Sequence, residues 1–226
     1  GWAILPIHTI EDGLCTCGRS DCGSPGKHPL TPNGLTDATK DQAVISGWWK
    51  RWPKANIGVR TGQASGILAI DLDVKNDDPE TNGITTWYDL EDIHGRVDTM
   101  TARTGSGGQH WIYTLPDNVE VRNDAGTKLG KGIDVRGDGG YIVVAPSLHI
   151  SGDTYEWEDE TPPALAPEWL IKQCANPVQK KVETTLKTPG GYAPWVTEAL
   201  QGVGESYRNS TASRLVGYFH KQGVAQ

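Results

Sequence analysis

The chain has 226 residues, a formal net charge of −7 at pH 7 and 36% hydrophobic residues, with nine tryptophans, one phenylalanine and 28 glycines. This length allows one large domain, and the composition favours a loop-rich α/β or α+β protein whose tryptophans supply much of the buried area. The acidic balance excludes a protein that coats nucleic acid through a broad basic surface. Because no apolar run approaches the ~18 residues of a membrane span and no signal peptide is visible, we expect a soluble, cytoplasmic protein without a membrane partner.

The first elements predicted along the chain are a short strand in GWAILPIH and a cysteine-rich loop that runs to about residue 35. A helix follows in TKDQAVISGWWKRWP, with Thr39 as its N-cap and Pro53 ending it. Two strands, in ANIGVRTG and GILAIDLDV, are bounded by glycines, and a second helix in DPETNGITTWYDLEDIHG ends at Gly95.

From Met100 to about Trp157 the pattern predicts strands in TMTARTG, QHWIYTL, VEVRN, GIDVRG, YIVVAPS and YEWE, and then a closing helix in PPALAPEWLIKQCA. This order indicates a mixed fold with a partly antiparallel sheet, not a regular βαβ alternation. The stretch NPVQKKVETTLKTPGGYAP has linker composition, so we expect residues 1–180 to form one domain and residues 181–226 to form a linker and the start of a helical domain. The chain begins with Gly1 and Met100 is its single methionine, so we expect the natural start to be missing. The last residues, LVGYFHKQGVAQ, have a helical pattern, so we expect the end to lie inside a helix.

Two aspartates end the apolar strand ILAIDLDV. Residues two apart on a strand share a face, so Asp71 and Asp73 project side by side while Leu72 points to the opposite side. A cation between the two carboxylates relieves their repulsion, and hard oxygen ligands favour Mg²⁺ or Mn²⁺. For a DxD pair alone, pairing with lysines such as Lys75 is the alternative.

Other polar residues occupy similar strand contexts. Asp134 lies in GIDVRGDGGYIVVAPS, and His110 follows TGSGG at the start of another strand. The residues before His110 offer backbone N–H groups of the kind that cradle phosphates; these are Ser106, Gly107 and Gly108. Taken alone, SGG before a histidine is also typical of an ordinary hairpin.

The cysteine-rich loop, about residues 15–28, carries three cysteines and one histidine at short spacings: Cys15, Cys17, Cys22 and His28. Thiolate and imidazole ligands suit tetrahedral Zn²⁺, and a complete set of four indicates a structural ion. Reduced cysteines without a metal are the alternative. Cys174 stands apart and fits a small buried residue of the closing helix.

The order of these motifs carries a resemblance: DxD on a strand, SGGxH about thirty residues later, then a lone aspartate in DVRGDGGYIVVAPS. It resembles the prim-pol family of the archaeo-eukaryotic primase superfamily, the bifunctional DNA primase/polymerase domains of plasmid and phage replication proteins. The similarity covers residues 1 to about 175 and includes GWAILPI, GKHP, ANIGVRTG, GILAIDLD, TGSGGQHWIY and RGDGGYIVVAPSLHISGDTYEW.

The resemblance implies the α+β archaeo-eukaryotic primase fold: an RRM-like antiparallel sheet bearing the acids, helices packed on its back, an N-terminal α/β unit with the zinc loop, and a C-terminal helical extension. It implies that Asp71, Asp73 and Asp134 hold catalytic Mg²⁺ or Mn²⁺ for two-metal nucleotidyl transfer. Ser106 and His110 match the motif that contacts the phosphates of the incoming nucleotide.

Further candidates for the nucleotide site are less closely tied to a motif. Arg60, Lys131 and Arg136 are candidate phosphate ligands, although Arg136 pairing with Asp138 within a turn is an equal alternative. Three residues that follow the third acid are expected to line the nucleotide pocket, and two more match family positions; these are Gly139, Gly140 and Tyr141, and then Ser147 and His149. For Tyr141, packing is the preferred interpretation over selection of the sugar.

The implied function is a DNA primase/polymerase that makes and extends primers on a single-stranded DNA template from dNTP or NTP, in phage or plasmid replication in the host cytoplasm. The tail resembles the start of a helical region that continues into a helicase. Lys27 and Arg19 in the zinc loop are either a basic contact for template or nucleotide, or solvated charges. The rival hypotheses are a metal-dependent nuclease and a non-catalytic, zinc-containing single-stranded nucleic-acid binding module.

Overall fold

The structure is a computed structural model that describes residues 1–74, 82–175 and 195–196. The chain divides into two compact units, Gly1–Val178 and Gln179–Gln226, and the fold below is that of the first. The predicted linker and nearly all of the helical region after it lie outside the described residues, so the domain boundary near residue 180 stays a prediction.

The described elements are eleven strands, three α-helices and one 3-10 helix. The strands are β1 Ile4–Ile7, β2 Ile10–Glu11, β3 Leu14–Cys15, β4 Asn56–Arg60, β5 Ile67–Leu72, β6 Met100–Arg103, β7 Gln109–Thr114, β8 Asp124–Ala125, β9 Ile133–Arg136, β10 Tyr141–Val144 and β11 Glu156–Asp159. The helices are the 3-10 helix Gly34–Asp37, α1 Gln42–Arg51, α2 Gly83–His94 and α3 Glu168–Cys174. Among these residues, no helix has the length and apolar character needed to cross a bilayer.

Two antiparallel sheets and a small hairpin organise the unit. The larger sheet has the order β11-β6-β7-β5-β9-β8, the smaller has the order β1-β4-β10, and β2 pairs with β3. Every ladder between these strands is antiparallel. The mixed α+β class predicted from the sequence is confirmed, and pairing is antiparallel throughout the named strands, not only in part.

Strand β5 is central to the larger sheet and is buried on both faces, which explains its unbroken apolar run. Its even-numbered residues pack with α2 and α3, whereas its odd-numbered residues pack with the smaller sheet; these sets are Leu68, Ile70 and Leu72, and Ile67 and Ala69. Full burial of a leucine or isoleucine side chain stabilises the fold by roughly 1.5–3 kcal/mol. The same alternation places Asp71 in the row that faces the smaller sheet.

The N-cap predicted for α1 is wrong. Asp41 caps the helix because its carboxylate accepts hydrogen bonds from the backbone N–H groups of Ala43 and Val44, at 2.8 and 3.3 Å. The hydroxyl of Thr39 instead accepts from the N–H of Asp41 at 3.1 Å, because Thr39 lies two residues before the cap. The helix ends at Arg51, before Pro53 as predicted, since proline disfavours helical backbone in the residue that precedes it.

Helix α2 begins at Gly83, and the side chain of Asn82 caps it by accepting from the N–H of Ile84 at 3.0 Å. The helix stops at Gly95 as predicted: His94 is its last residue, and Gly95 is the C-cap with a φ of 88°. The start predicted for it falls partly in residues 75–81, outside the described residues. The predicted strand in VEVRN is not formed: Val121 and Arg122 make isolated bridges to different partners, so no continuous ladder develops there.

Candidate active site

The cross-strand register of β5 brings three predicted site residues together. Asp71 lies directly opposite His110 on β7 and directly opposite Asp134 on β9. Facing residues on antiparallel strands have Cβ atoms roughly 4.5–5.5 Å apart and share one face of the sheet. Asp73 follows the end of β5, and its backbone is held by hydrogen bonds with Gly132 at 2.8 Å and Gly83 at 2.9 Å.

A cavity of about 580 Å³ opens over this face, between the larger sheet, β10 and the cysteine-rich loop. This volume is within the range of small-molecule binding sites. The predicted site residues that line it are Asp71, Asp73, Asp134, Ser106, His110, Arg136, Gly139, Gly140, Tyr141 and His28.

Asp71 is largely enclosed, with 18% of its side chain exposed, and its environment favours the charged form. Burial acts to raise the pKa of Asp71, but the charge and hydrogen bond of His110, followed by the charges of Arg136 and Lys27, outweigh burial and leave the pKa below its usual value. The Nε2 atom of His110 lies 3.4 Å from Oδ1 of Asp71. The other ring nitrogen of His110 is buried and has no partner in the described part of the chain.

Arg136 connects two of the acids. Its Nη2 atom donates to Oδ2 of Asp134 at 2.6 Å and lies 3.5 Å from Oδ2 of Asp71. A guanidinium between two carboxylates offsets their mutual repulsion. Arg136 therefore belongs to the acidic cluster, while the alternative partner, Asp138, accepts a hydrogen bond from the backbone N–H of Gln63 at 2.8 Å.

The phosphate cradle expected from the turn before β7 is not formed by its glycines. The N–H of Gly107 donates to the carbonyl of Thr104 at 3.0 Å, and the N–H of Gly108 donates to the Thr104 hydroxyl at 3.0 Å. Both groups are used inside the turn, so neither is available to a phosphate in this arrangement.

A Cβ on Gly108 would meet the Leu72 carbonyl oxygen at 2.1 Å, so this glycine is required for the close approach of two backbones. The Ser106 hydroxyl does line the cavity.

Five residues predicted to bind nucleotide do not line the cavity: the two glycines of the turn, Gly107 and Gly108, and Arg60, Lys131 and His149. Arg60 lies on β4 opposite Tyr141, and Lys131 lies in the turn before β9, where its carbonyl accepts from the Thr86 hydroxyl at 3.3 Å. The ring of His149 packs edge-on against Tyr155, with 6.2 Å between centroids, and its Nδ1 atom lies 2.9 Å from the Ser151 hydroxyl. His149 thus stands behind the cavity wall.

The cavity also contains residues to which the sequence assigned no definite role. Lys27 lines the cavity, which favours the nucleotide-contact alternative over a solvated charge, and its carbonyl accepts from the Tyr141 hydroxyl at 2.6 Å. Thr104, Asn123 and Tyr155 line it as well. The sequence had left Lys27 open between a basic contact for template or nucleotide and a solvated charge, and its position beside the metal-ligand candidate His28 is what brings it to the cavity.

The cysteine-rich loop forms a compact ligand set, the Cys3His set of Cys15, Cys17, Cys22 and His28, whose ligand atoms all lie within 4.8 Å of one another. Nε2 of His28 is 3.4 Å from the Sγ atoms of both Cys15 and Cys22. The edge of a zinc-centred tetrahedron between sulfur and nitrogen is about 3.6 Å for ordinary Zn–S and Zn–N bonds. The donor types and the spacing therefore fit zinc.

Electrostatics within the Cys3His set also favour a cation. A hydrogen bond from the Arg19 backbone lowers the pKa of Cys17. The Ser24 backbone acts to lower the pKa of Cys22, but burial and the neighbouring thiols Cys17 and Cys15 outweigh it and raise that pKa. Crowded thiols resist ionising together unless a metal ion compensates their charge.

The carboxylates form a different kind of set. Among the described residues, the Cys3His set alone has three or more ligand atoms within that distance of one another, so Asp71, Asp73 and Asp134 do not close on a common point. Mg²⁺ and Mn²⁺ accept such an open arrangement, because they keep several waters and take one or two carboxylates together with substrate phosphates. The oxygen donors present fit these ions.

Comparison with protein families gives one match. The family model described as bifunctional DNA primase/polymerase, N-terminal, matches residues 1–169, a range that contains the Cys3His set, all three carboxylates and His110. The comparison with curated proteins finds no match.

Proposed function

Because the chain belongs to the bifunctional DNA primase/polymerase family, we propose that it is a DNA-directed nucleotidyltransferase that makes and extends primers on single-stranded DNA, in phage or plasmid replication. Membership implies an enzyme of the nucleotidyltransferase type that acts in DNA replication with DNA and nucleotide substrates. The archaeo-eukaryotic primase topology and fusion to a helical bundle and helicase are part of the proposal.

The observation that carries the proposal is the register of β5, which sets Asp71 between Asp134 on one side and His110 on the other. The carboxylates supply hard oxygen donors at one wall of the cavity, whereas Lys27 and Arg136 supply positive charge inside it. A nucleoside triphosphate bound with divalent cations needs both kinds of group.

Each residue has a role in this proposal. Asp71, Asp73 and Asp134 would hold Mg²⁺ or Mn²⁺; when bound, these ions activate the attacking 3′ hydroxyl and neutralise the triphosphate and leaving pyrophosphate. Lys27 and Arg136 bind phosphate oxygens by charge-assisted hydrogen bonds. His110, held at 3.4 Å from Asp71, orients that carboxylate and faces the triphosphate. Ser106 donates its hydroxyl to a phosphate oxygen.

The Cys3His set has a structural role in the proposal. Its ligands come from a loop that has only the short β2–β3 hairpin as regular structure, so zinc would supply the rigidity that the backbone lacks. His28 and Lys27 are adjacent, and both line the cavity. Zinc would therefore fix the direction of Lys27.

The test is a primer-synthesis and extension assay on single-stranded templates with labelled NTPs or dNTPs, with Mg²⁺ and Mn²⁺ compared. We expect template-dependent products from the unaltered chain, and a loss of about three orders of magnitude or more in Asp71→Asn, because a ligand to the catalytic cations contributes several kcal/mol to the transition state. Asp89→Asn, an exposed carboxylate on α2, is the matched control.

Two results would reject the proposal. One is cleavage of the labelled DNA without nucleotides, which the nuclease hypothesis predicts. The other is binding of single-stranded DNA that depends on the cysteines and is indifferent to the aspartates, without any incorporation, which the binding-module hypothesis predicts.

A further inference from the structure

The end of α1 and the turn after it carry three tryptophans and three basic residues in seven positions, WWKRWPK, residues 48–54. We call this the Trp-Lys segment. None of its tryptophans belongs to the three hydrophobic core clusters, and α1 has no buried residue. Trp48, Trp49 and Trp52 are each partly exposed. Large aromatic rings left partly in water are available to contact another molecule.

The three tryptophans are close along the chain at the end of α1. Trp48 and Trp49 lie in its last turn, and Trp52 is the C-cap residue, whose backbone N–H donates to the Trp48 carbonyl at 2.7 Å. The guanidinium of Arg51 lies 4.6 Å from the centre of the Trp52 ring. Trp49 also lines a second cavity, of about 620 Å³, which shares no lining residue with the candidate active site.

The charge of the segment is opposite to that of the chain as a whole, which has a net charge of −7. In the part of the chain that the structure describes, no carboxylate lies within ion-pair distance of Lys50 or Arg51. Lys54 is different, because it pairs with Glu11 at 3.3 Å. Glu11 and Asp12 line the second cavity, and their negative charge disfavours an anion such as a phosphate there. Lys50 and Arg51 are therefore the basic side chains of the segment that can contact an anion.

We infer that the Trp-Lys segment binds single-stranded DNA, with bases stacked on Trp49 and Trp52 and backbone phosphates held by Lys50 and Arg51. Aromatic platforms beside basic side chains are the combination that binds single strands without sequence preference. A duplex would offer its phosphates but not its base faces, so the rings favour a single strand. The inference rests on the proposed function only for the choice of DNA over RNA.

Binding is measured by fluorescence anisotropy of a labelled oligothymidylate of about 16 nucleotides, with EDTA and without nucleotides, so that no catalysis takes part. The 226-residue chain is compared with Trp49→Ala/Trp52→Ala and with Lys50→Gln/Arg51→Gln. We expect the first variant to bind about tenfold or more weakly for each ring removed. The second should bind more weakly and lower the slope of log affinity against log salt by about 0.7 for each phosphate that the protein no longer neutralises.

The matched control is Arg96→Gln/Lys172→Gln, which removes two exposed charges elsewhere and should bind as the unaltered chain does. The inference is overturned if Lys50→Gln/Arg51→Gln keeps both the affinity and the salt slope. If removal of the tryptophans unfolds the chain, the Lys50→Gln/Arg51→Gln variant still provides the test, because the side chains of Lys50 and Arg51 are exposed. A folded Trp49→Ala/Trp52→Ala variant that binds DNA normally would also overturn it.

The result is separable from the proposed function. Asp71→Asn should bind the oligonucleotide normally while it fails to incorporate nucleotides, and the Lys50→Gln/Arg51→Gln variant should raise the KM for template with little change in kcat. Normal template KM in that variant, with incorporation intact, would reject the inference alone. Absence of incorporation by the unaltered chain, with DNA bound through the Trp-Lys segment, would reject the proposed function alone.

Discussion

His28 of the Cys3His set and the three carboxylates border the same cavity, yet different parts of the fold position the two groups of ligands. The carboxylates lie on or beside β5 and β9, where backbone ladders fix them whether or not a cation is present. The cysteines lie in a loop with little regular structure. A cation can exchange freely at a site whose ligands are fixed by strand pairing. A structural ion must remain bound where the loop that carries its ligands is ordered only when the ion is present.

The largest effect should follow from a change on the strand side. In Asp134→Asn the shape of the side chain is kept and its charge is removed, so we expect nucleotide incorporation to fall about a thousandfold. Asparagine keeps a hydrogen-bond acceptor for Arg136 and relieves the repulsion between positions 134 and 71, so Tm should shift by no more than about 2–4 °C, the change that 1 kcal/mol produces in a chain of this size. Primer extension and thermal unfolding measure the two effects. Unfolding of Asp134→Asn would contradict the view that the strands hold the carboxylates without a cation. The control Asp89→Asn should change neither incorporation nor Tm.

For the Cys3His set, we expect the main effect to be on stability. We expect Cys22→Ser, or treatment with a strong zinc chelator, to abolish stoichiometric zinc and to lower the free energy of unfolding by several kcal/mol, because metal binding and loop folding are one process. Metal analysis and thermal melts check this expectation. Cys174→Ala serves as the control because that thiol is buried in α3, away from the set, and it should retain zinc. Full zinc content in Cys22→Ser would contradict the assignment.

A smaller effect should come from Lys27, which belongs to the loop but faces the cavity. Removing one charge-assisted hydrogen bond to a phosphate, worth roughly 1.5–3 kcal/mol, should raise the KM for nucleoside triphosphate about tenfold in Lys27→Gln. Zinc content should stay unchanged. Steady-state kinetics with Lys131→Gln for comparison will show whether position in the cavity matters, because Lys131 does not line it. Equal KM changes in the two variants would argue for a general charge effect.

The smallest effect concerns one hydrogen bond between the cysteine-rich loop and β10, another wall of the cavity. The Tyr141 hydroxyl, on β10, donates to the carbonyl of Lys27 at 2.6 Å. Tyr141→Phe should lower stability by about 1 kcal/mol, the usual net value of one hydrogen bond, with zinc retained and a small rise in nucleotide KM. Differential scanning calorimetry is sensitive enough, and Tyr88→Phe, at an exposed ring, is the control. No change in either quantity would show that loop and strand are positioned independently.

Local pattern was enough to predict much of this molecule. The apolar run of β5 and its period of two place Asp71 and Asp73 on one side and Leu72 on the other, and both follow from adjacent residues. The chemistry of thiols and imidazole likewise indicates zinc without knowledge of the fold. Short-range signals failed where two neighbours competed, as when Asp41 and not Thr39 capped α1.

Long-range pairing was harder to foresee. Nothing local indicates that Asp71 faces His110 and Asp134 at the same time, since that requires two registers to agree. Lys27 likewise reaches the cavity only because its loop folds over β10. These arrangements depend on tertiary contacts that residue spacing does not encode.

The central position of β5 also has a consequence for how the molecule opens. The contact between Arg136 and Asp71 joins residues 65 apart in sequence, and β5 has a paired strand on each side. Amide protons of a fully buried central strand exchange with solvent only when the whole unit unfolds, whereas functional loops usually open at much lower cost. Asp71 should therefore be among the slowest-exchanging amides of the chain. The carboxylates would stay fixed through a catalytic cycle, and the movement needed to admit and release nucleotide would come from the other walls of the cavity.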